Sequence, residues 1–343
     1  MKKRILIFLA VLLTVLVGCE RRELEYGSAT LDLKIKINLN VKVNGKIQNL
    51  PTPEMMRVLF FDENTNELVT ESYLPAGGGR IAIPPGRYKF IGYNFDTEAT
   101  LLKNDRDYDS IEAYTNEVSS ALKASLLAAI HYGKTVVEND PEADAWAIAL
   151  QKVQEGKVIY EPDHLFVSRE VVTVLNTDSE QVIETDAESI IETWHISVRL
   201  KNRQYLSSAR ALLTGQVASN LIGLPHEDGK TDTDVTLMFD MGPGSDDDNN
   251  DVVVGTFNTF GKNPKVESVL WLTLKTTGGD TVIWRRDITN EFFTELAIQN
   301  KTIYIEEDIT IPVPSLLNIR IRRISGLCPR CRGSPDRPGC RRR

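Results

Sequence analysis

Residues 31–43 alternate without a break. Leu31, Leu33, Ile35, Ile37, Leu39, Val41 and Val43 take the odd positions, and Asp32, Lys34, Lys36, Asn38, Asn40 and Lys42 the even ones. Period two over thirteen residues predicts one long strand with a buried and a wet face. Val43-Asn44-Gly45-Lys46 then supplies a hairpin-type turn. Further strands are predicted at 57–61, 67–73, 80–83 and 87–94. Turn clusters separate them at Asp62 to Asn66, Pro75 to Gly79 and Pro84-Pro85-Gly86.

The pattern changes over 109–155, where Ala, Leu, Glu and Lys dominate and Val118, Leu122, Leu126 and Ala129 fall at helical spacing. A second helical stretch is predicted at 142–154, with Pro141 near its start. Strand character returns at 165–175 through Val167, Val171, Val172 and Val174. A first unit therefore spans 29–180, with a helical insert at about 109–155. A second unit, 190–314, has strand candidates at 193–201, 209–217, 234–241, 252–260, 268–276, 281–285 and 302–311. Seven short strands with turns between them predict a sandwich. No strand–helix–strand alternation supports a parallel sheet, and no tandem repeat is present. The expected fold class is all-β: two tandem antiparallel β-sandwiches with a helical insertion in the first.

The ends obey different rules. Lys2, Lys3 and Arg4 precede an apolar run from Ile5 to Val17, broken only by Thr14. At about 1.5 Å per residue these thirteen positions are too short for a ~30 Å hydrocarbon core. A cationic start and a small-residue exit predict a cleaved export signal over 1–18 rather than a buried helix. Leu16-Val17-Gly18-Cys19 matches a bacterial lipobox, with cleavage between Gly18 and Cys19. Cys19 would then carry an S-diacylglycerol and an N-acyl group, with 19–28 as a lipidated linker; ordinary signal cleavage and an uncleaved anchor are the alternatives. Two or three acyl chains, at ~0.8 kcal/mol per buried methylene, make such attachment permanent in effect.

The formal net charge of −8 conceals a segregation. The first 18 residues carry +3 and residues 315–343, with nine Arg against Asp336, carry +8, which leaves −19 on 19–314. A body this acidic argues against a nucleic-acid partner. No cysteine lies between Cys19 and Cys328, so the body relies on packed core rather than disulfides. Cys328, Cys331 and Cys340 do not complete a four-ligand zinc site, because His131, His164, His195 and His226 all lie far upstream. The tail from Ser315 lacks aromatic residues, Lys and Glu and has no periodicity. Translation in a shifted reading frame would give such a composition.

Little else carries chemistry. Gly77-Gly78-Gly79-Arg80 lacks the Lys-Ser/Thr and the helix of a phosphate loop and is expected to be a turn. Asp246-Asp247-Asp248-Asn249-Asn250-Asp251 offers hard oxygens for calcium without the spacing of a hand-type loop, so a solvated acidic turn is the plainer reading. Ser119-Ser120 and Ser207-Ser208 lack an elbow motif, and no histidine has a partner in sequence. No catalytic constellation assembles, so the sequence points to no enzyme, no cofactor and no metal. Trp271 and Trp284 suit either sugar stacking or a core.

Five places carry a resemblance. They are the lipobox with Cys19; the Leu31–Val43 strand; Met56-Arg57-Val58-Leu59-Phe60-Phe61-Asp62; Ile83-Pro84-Pro85-Gly86-Arg87-Tyr88 with Gly92-Tyr93-Asn94; and Ala209-Arg210-Ala211-Leu212-Leu213-Thr214-Gly215 with Gly255-Thr256-Phe257-Asn258-Thr259-Phe260-Gly261. In their order along the chain these motifs resemble the fimbrillin-like lipoproteins of Bacteroidales, in particular the anchor or minor-subunit branch of type V pilus proteins and a closely related lipoprotein family. The resemblance implies two transthyretin-like sandwiches and an outer-membrane lipoprotein, often surface-exposed, held in lipid through Cys19. It also implies pilus subunits or other surface proteins as partners, joined by strand addition. The alternative is a surface glycan- or protein-binding lipoprotein. An unpaired groove beside Leu31–Val43 would favour the first reading, and an exposed platform at Trp271 or Trp284 the second.

Overall fold

The computed structural model describes residues 27–135, 143–177, 179–246 and 249–313. The signal, Cys19, the 315–343 tail with its three cysteines, and Asp247 and Asp248 lie outside the described residues.

The strand expected at 31–43 is two. β1 (Ala29–Ile37) ends where the Asn38 amide donates to Ala187 O at 2.9 Å and the Asn38 side chain accepts the Asn40 amide at 3.2 Å. That local turn interrupts the ladder although the apolar alternation runs on. β2 (Asn40–Val43) and β3 (Lys46–Asn49) then form the expected hairpin, with Asn44 and Gly45 at φ 51° and 67°, the pair of positive values a tight primed turn requires. Its tip reaches the second unit, the Gly45 amide donating to Asn300 O at 3.0 Å.

The chain continues through β4 (Met55–Asp62), β5 (Leu68–Pro75), β6 (Gly78–Ile83), β7 (Gly86–Asn94), β8 (Thr100–Lys103) and β9 (Glu112–Thr115). The 109–119 part of the predicted insert is thus not helical. Helices α1 (Ser120–Tyr132) and α2 (Ala143–Glu155) follow, with β10 (Lys134–Thr135) between them and β11 (Val158–Ile159) after. β12 (Phe166–Val174) and β13 (Gln181–Ser189) finish the first sheet, whose order is β5-β4-β7-β12-β13-β1-β6. Residues 181–189 fall between the two units by sequence; here they pair with β1 in parallel and briefly with β12. The sheet curls around one core, in which Leu31, Leu33, Val58, Phe60, Ile81 and Phe90 meet. Pro84-Pro85-Gly86 leads into β7 as a rigid turn, and the Tyr88 hydroxyl donates to Pro84 O at 2.8 Å.

The second unit contains all seven expected strands: β14 (Glu192–Lys201), β15 (Leu206–Val217), β17 (Asp234–Ser245), β18 (Asp251–Thr259), β19 (Val269–Thr276), β20 (Thr281–Asp287) and β21 (Thr302–Thr310). A short β16 (Ser219–Leu221) and a helix α3 (Glu295–Asn300) are added. The order is β20-β19-β15-β17-β18-β14-β21, with β10 on the outer side of β20. β17 turns a corner, its first half pairing with β15 and its last residues with β18. Gly215 sits within β15 at φ 70°, where the register with β17 shifts between Leu213 and Gln216, and a Cβ there would meet Glu267 O. Among the described residues four parallel pairs occur in a mostly antiparallel structure, β1–β13, β14–β21, β10–β20 and β11–β17.

The helical insert leaves the first unit and covers the second. Leu126, Ile130, Trp146 and Val153 pack on Leu212, Met238, Trp271 and Ile283. Those sheet residues face away from the inner core that holds Leu213, Leu237, Leu272 and Trp284. These strands are apolar on both faces and need a cover. The two units also share a core: Leu59, Phe61, Ile91 and Tyr93 of the first meet Val217, Ile222 and Phe260 of the second. β16 of the second unit extends this join by pairing with β9 and, through it, with β8.

Candidate functional site

β1 has neighbours on both sides, β6 over Ala29–Lys34 and β13 over Leu31–Ile37. Along Ala29–Ile37 the chain's own strands therefore occupy the place of the groove that would have favoured strand addition, while Asn40–Val43 pairs with β3 in a separate two-stranded sheet. Trp271 and Trp284 are 2% and 3% exposed, the first under Trp146 and the second in the inner core, so neither forms a platform. Of the glycine run expected to be a turn, only Gly77 lies with Ala76 in the turn between β5 and β6; Gly78 and Gly79 open β6, with Gly78 at φ 98° where a Cβ would meet Leu33 O. Asp246 accepts the Asn250 amide at 2.7 Å and the Tyr304 hydroxyl at 2.7 Å, and Asp251 pairs with Arg203 at 3.1 Å. Those oxygens of Asp246 and Asp251 are engaged in holding the turn and its neighbours. Ser119 caps α1 through its hydroxyl, which accepts the Leu122 amide at 3.2 Å. Ser207 and Ser208 are exposed on β15, and Ser208 lies across from Lys275 of β19.

The histidines divide by place. His131 is exposed. His195 lies on β14, its Nδ1 3.2 Å from the Thr256 hydroxyl, and burial holds the ring below its ordinary value. His164 bridges the units, its two ring nitrogens lying 2.9 Å from the Ser189 hydroxyl and 3.0 Å from the Thr193 hydroxyl. Residues 161–163 reinforce that bridge. Glu161 Oε2 accepts the Asn258 amide at 3.0 Å, Asn258 Nδ2 donates to Pro162 O at 3.1 Å, and Asp163 accepts the amides of Glu98 and Ala99.

His226 belongs to a charge cluster at the start of β14. Glu192 accepts from Lys230 Nζ at 2.9 Å, Lys301 Nζ at 3.0 Å and Trp194 Nε1 at 3.1 Å. Burial pushes the Glu192 carboxyl up, but His226, Lys230 and Lys301 outweigh burial and hold it well below the usual carboxylate range. Glu192, His226 and Glu227 are close enough to chelate a cation. The ammonium of Lys230 lies 2.9 Å from both carboxylates, so that position is taken by a side-chain cation. The triad is a salt-bridge cluster and does not suit a metal.

The feature best built for assembly is the edge strand β5, which sequence reasoning did not single out. It pairs with β4 alone among the described residues. The Leu68 amide goes to Arg106 O, but beyond it the outer backbone edge runs free to Pro75. Val69 and Tyr73 are exposed on this strand, and Tyr73 packs edge-on against exposed Phe95 at 5.2 Å, beside exposed Met55. Glu71, the charge between them, is tied to Arg57 at 2.6 Å, which also holds Asp105 at 2.7 Å and Tyr93 at 2.8 Å. Burial works against the Arg57 charge, but Glu71 and Asp105 hold its pKa above the ordinary value. Burial also pushes Tyr93 up to about 12. An edge whose charge is neutralised and whose outward side chains are apolar is a template for another strand. At the edge of the second sheet, β21 carries Glu306, Glu307 and Asp308, and Arg286 of β20 reaches Glu307 at 3.3 Å. Like charges there discourage pairing.

Among the described residues no helix is long and apolar enough to cross a membrane. A family model described as a domain of unknown function, DUF5119, matches residues 18–240. A protein of Bacteroides ovatus described as “Putative fimbrium anchoring subunit Fim4B” is 34% identical over 105 residues, which span 30% of this chain and 29% of the relative. A crystal structure described as a “putative adhesin” from Bacteroides ovatus superposes with a TM-score of 0.56 at 19% identity, covering 87% of this chain and 98% of that one. It shows the same fold.

Proposed function

The chain belongs to the DUF5119 family, and from that premise we propose that it is a lipid-anchored structural protein of the outer membrane, a fimbrial anchor or accessory subunit. The observation that carries this reading is the 34% identity to a fimbrial anchoring relative. Cys19 is the attachment point, and the partner is a pilus subunit whose strand adds to the free edge of β5, where Val69 and Tyr73 present exposed apolar side chains on one face. Strand addition needs an unpaired backbone edge with apolar flanks, and β5 combines the two. A glycan-binding role at Trp271 or Trp284 has no support, because both rings are buried.

The test is complementation of a deletion strain with three versions of the gene. Wild-type protein should fractionate with the outer membrane and retain fibres on the cell. Cys19→Ala should appear in the soluble fraction and release fibres; persistent membrane association would remove lipidation from the reading. Val69→Lys with Tyr73→Lys, at exposed positions costing little stability, should stay membrane-bound yet fail to co-purify with the pilus subunit. Full co-purification of that variant would exclude the β5 edge as the site.

A further inference from the structure

Beside the Glu192 cluster lies a cleft of about 480 Å³, within the range that takes a small ligand. It opens between the start of β14, the loop after β18 and α3, touches the shared core only through Val217, and has no part in the pilus reading. Four lysines line it, Lys230, Lys262, Lys265 and Lys301, against three carboxylates, Glu192, Glu227 and Asp232. That balance is cationic, on a body that carries −19.

The pairing inside the cleft decides which charges are free. Lys230 and Lys301 are consumed by Glu192. Lys265 meets Asp232 at 2.7 Å, but both side chains are at least 70% exposed, so water screens that pair. Lys262 forms no ion pair among the described residues. Its Nζ is held by two backbone oxygens, Asn263 O at 3.1 Å and Val266 O at 3.2 Å, and stands 5.0 Å from the centre of the Phe293 ring. Phe293 is 56% exposed, and Ile298 and Pro264 extend its apolar surface along the wall. Deeper in, Trp194 is packed by Phe292 at 5.0 Å and capped by the Lys301 ammonium at 4.4 Å. The cleft therefore offers an exposed ring for stacking, a positioned ammonium beside it, and the exposed carboxylates of Glu227 and Asp232 as acceptors for hydroxyl groups.

We propose that this cleft binds an acidic saccharide, a sugar whose carboxylate meets Lys262 and Lys265 while its apolar ring face lies on Phe293. A sugar presents one face of C–H groups and a rim of hydroxyls, which fits an exposed ring bordered by polar acceptors. The carboxylate distinguishes the ligand from neutral sugars, because the lining is net cationic. A peptide C-terminus would instead call for converging backbone amides, and Lys262 is surrounded by carbonyl oxygens. The inference stands independently of the pilus reading.

The probe is trigalacturonate, titrated into the full chain in detergent by calorimetry and by tryptophan fluorescence, to which Trp194 contributes. The trimer should bind, more weakly as salt is raised, while a neutral glucose trimer should give no heat at the same concentrations. Phe293→Ala and Lys262→Gln, with circular dichroism confirming their fold, should each weaken binding about tenfold, the worth of one charge-assisted or stacking contact. Three results would overturn the proposal: no binding of the uronate at millimolar concentration, equal binding of the neutral trimer, or wild-type affinity in both variants. A phenylalanine-terminated peptide binding in the cleft in place of the uronate would also overturn it.

Discussion

Glu161 is a carboxylate set into the join between the two units, and its surroundings make stability depend on pH. Burial pushes its pKa up to about 7, the Asn258 amide pulls the other way, and Asp240 adds to the rise. In the unfolded chain a glutamate titrates near ~4.3. Between that value and about 7 the folded protein holds a proton that the unfolded chain has released, so stability falls as pH rises through the window and levels off above it. Glu161→Gln stays neutral throughout and can still accept from Asn258. The variant should gain about 2 kcal/mol over wild type between about pH 5 and about pH 8, read from urea midpoints at the two values. His164 contributes with the opposite sign, because burial depresses its pKa and its contribution is lost as pH falls through the ordinary histidine value. That term is common to both proteins, so the difference between them isolates Glu161. Parallel curves would place Glu161 in water. None of this is legible in the sequence, where Glu161 is one of many carboxylates and Asn258 lies 97 residues away.

At the level of elements, sequence and structure agree wherever local turn chemistry brackets a strand. All seven strands of the second unit fall near their expected positions, and Asn44-Gly45 makes its hairpin. The misses share a cause, which is pairing between distant segments. Alternation across Asn38 cannot distinguish one strand from two, since the break depends on the Asn38 side chain and on Ala187 far along the chain. β13 is hard to read because of its inner positions only Thr185 and Ala187 are buried, and neither is a large apolar residue. The destination of the helices could have been inferred from Val269-Leu270-Trp271-Leu272, an unbroken apolar run that calls for cover on both faces. Trp146 is the centre of that cover, edge-on to Trp271 at 6.2 Å, with the Arg285 guanidinium 5.1 Å from one ring and 5.6 Å from the other. Trp146→Ala should cost about 3 kcal/mol and expose the outer face of β19 and β15 to a hydrophobic dye. A loss under about 1 kcal/mol without dye binding would mean that the helices rest on the sheet without stabilising it.

At the level of the molecule, the question is whether the two units behave as one. On the proposed anchor role, load would pass from a fibre to the lipid attachment, and two sandwiches on a flexible linker would yield at the join. Here the join is apolar: Phe260, fully buried, enters from the end of β18 and packs with Phe61, Tyr93 and Leu165 of the first unit. β16–β9 pairing and the 161–164 segment add hydrogen bonds around that core. Interfaces of this kind resemble the inside of a domain more than a transient contact, and they couple unfolding. Wild-type protein should therefore unfold in one calorimetric transition. Phe260→Ala, by leaving a cavity in the shared core, should cost about 3–4 kcal/mol and split that transition in two, because it weakens the join while leaving each inner core intact. Two transitions in the wild-type protein would show that the units are already independent. A single transition shifted down in Phe260→Ala would locate the coupling elsewhere, in the helices that start in one unit and cover the other.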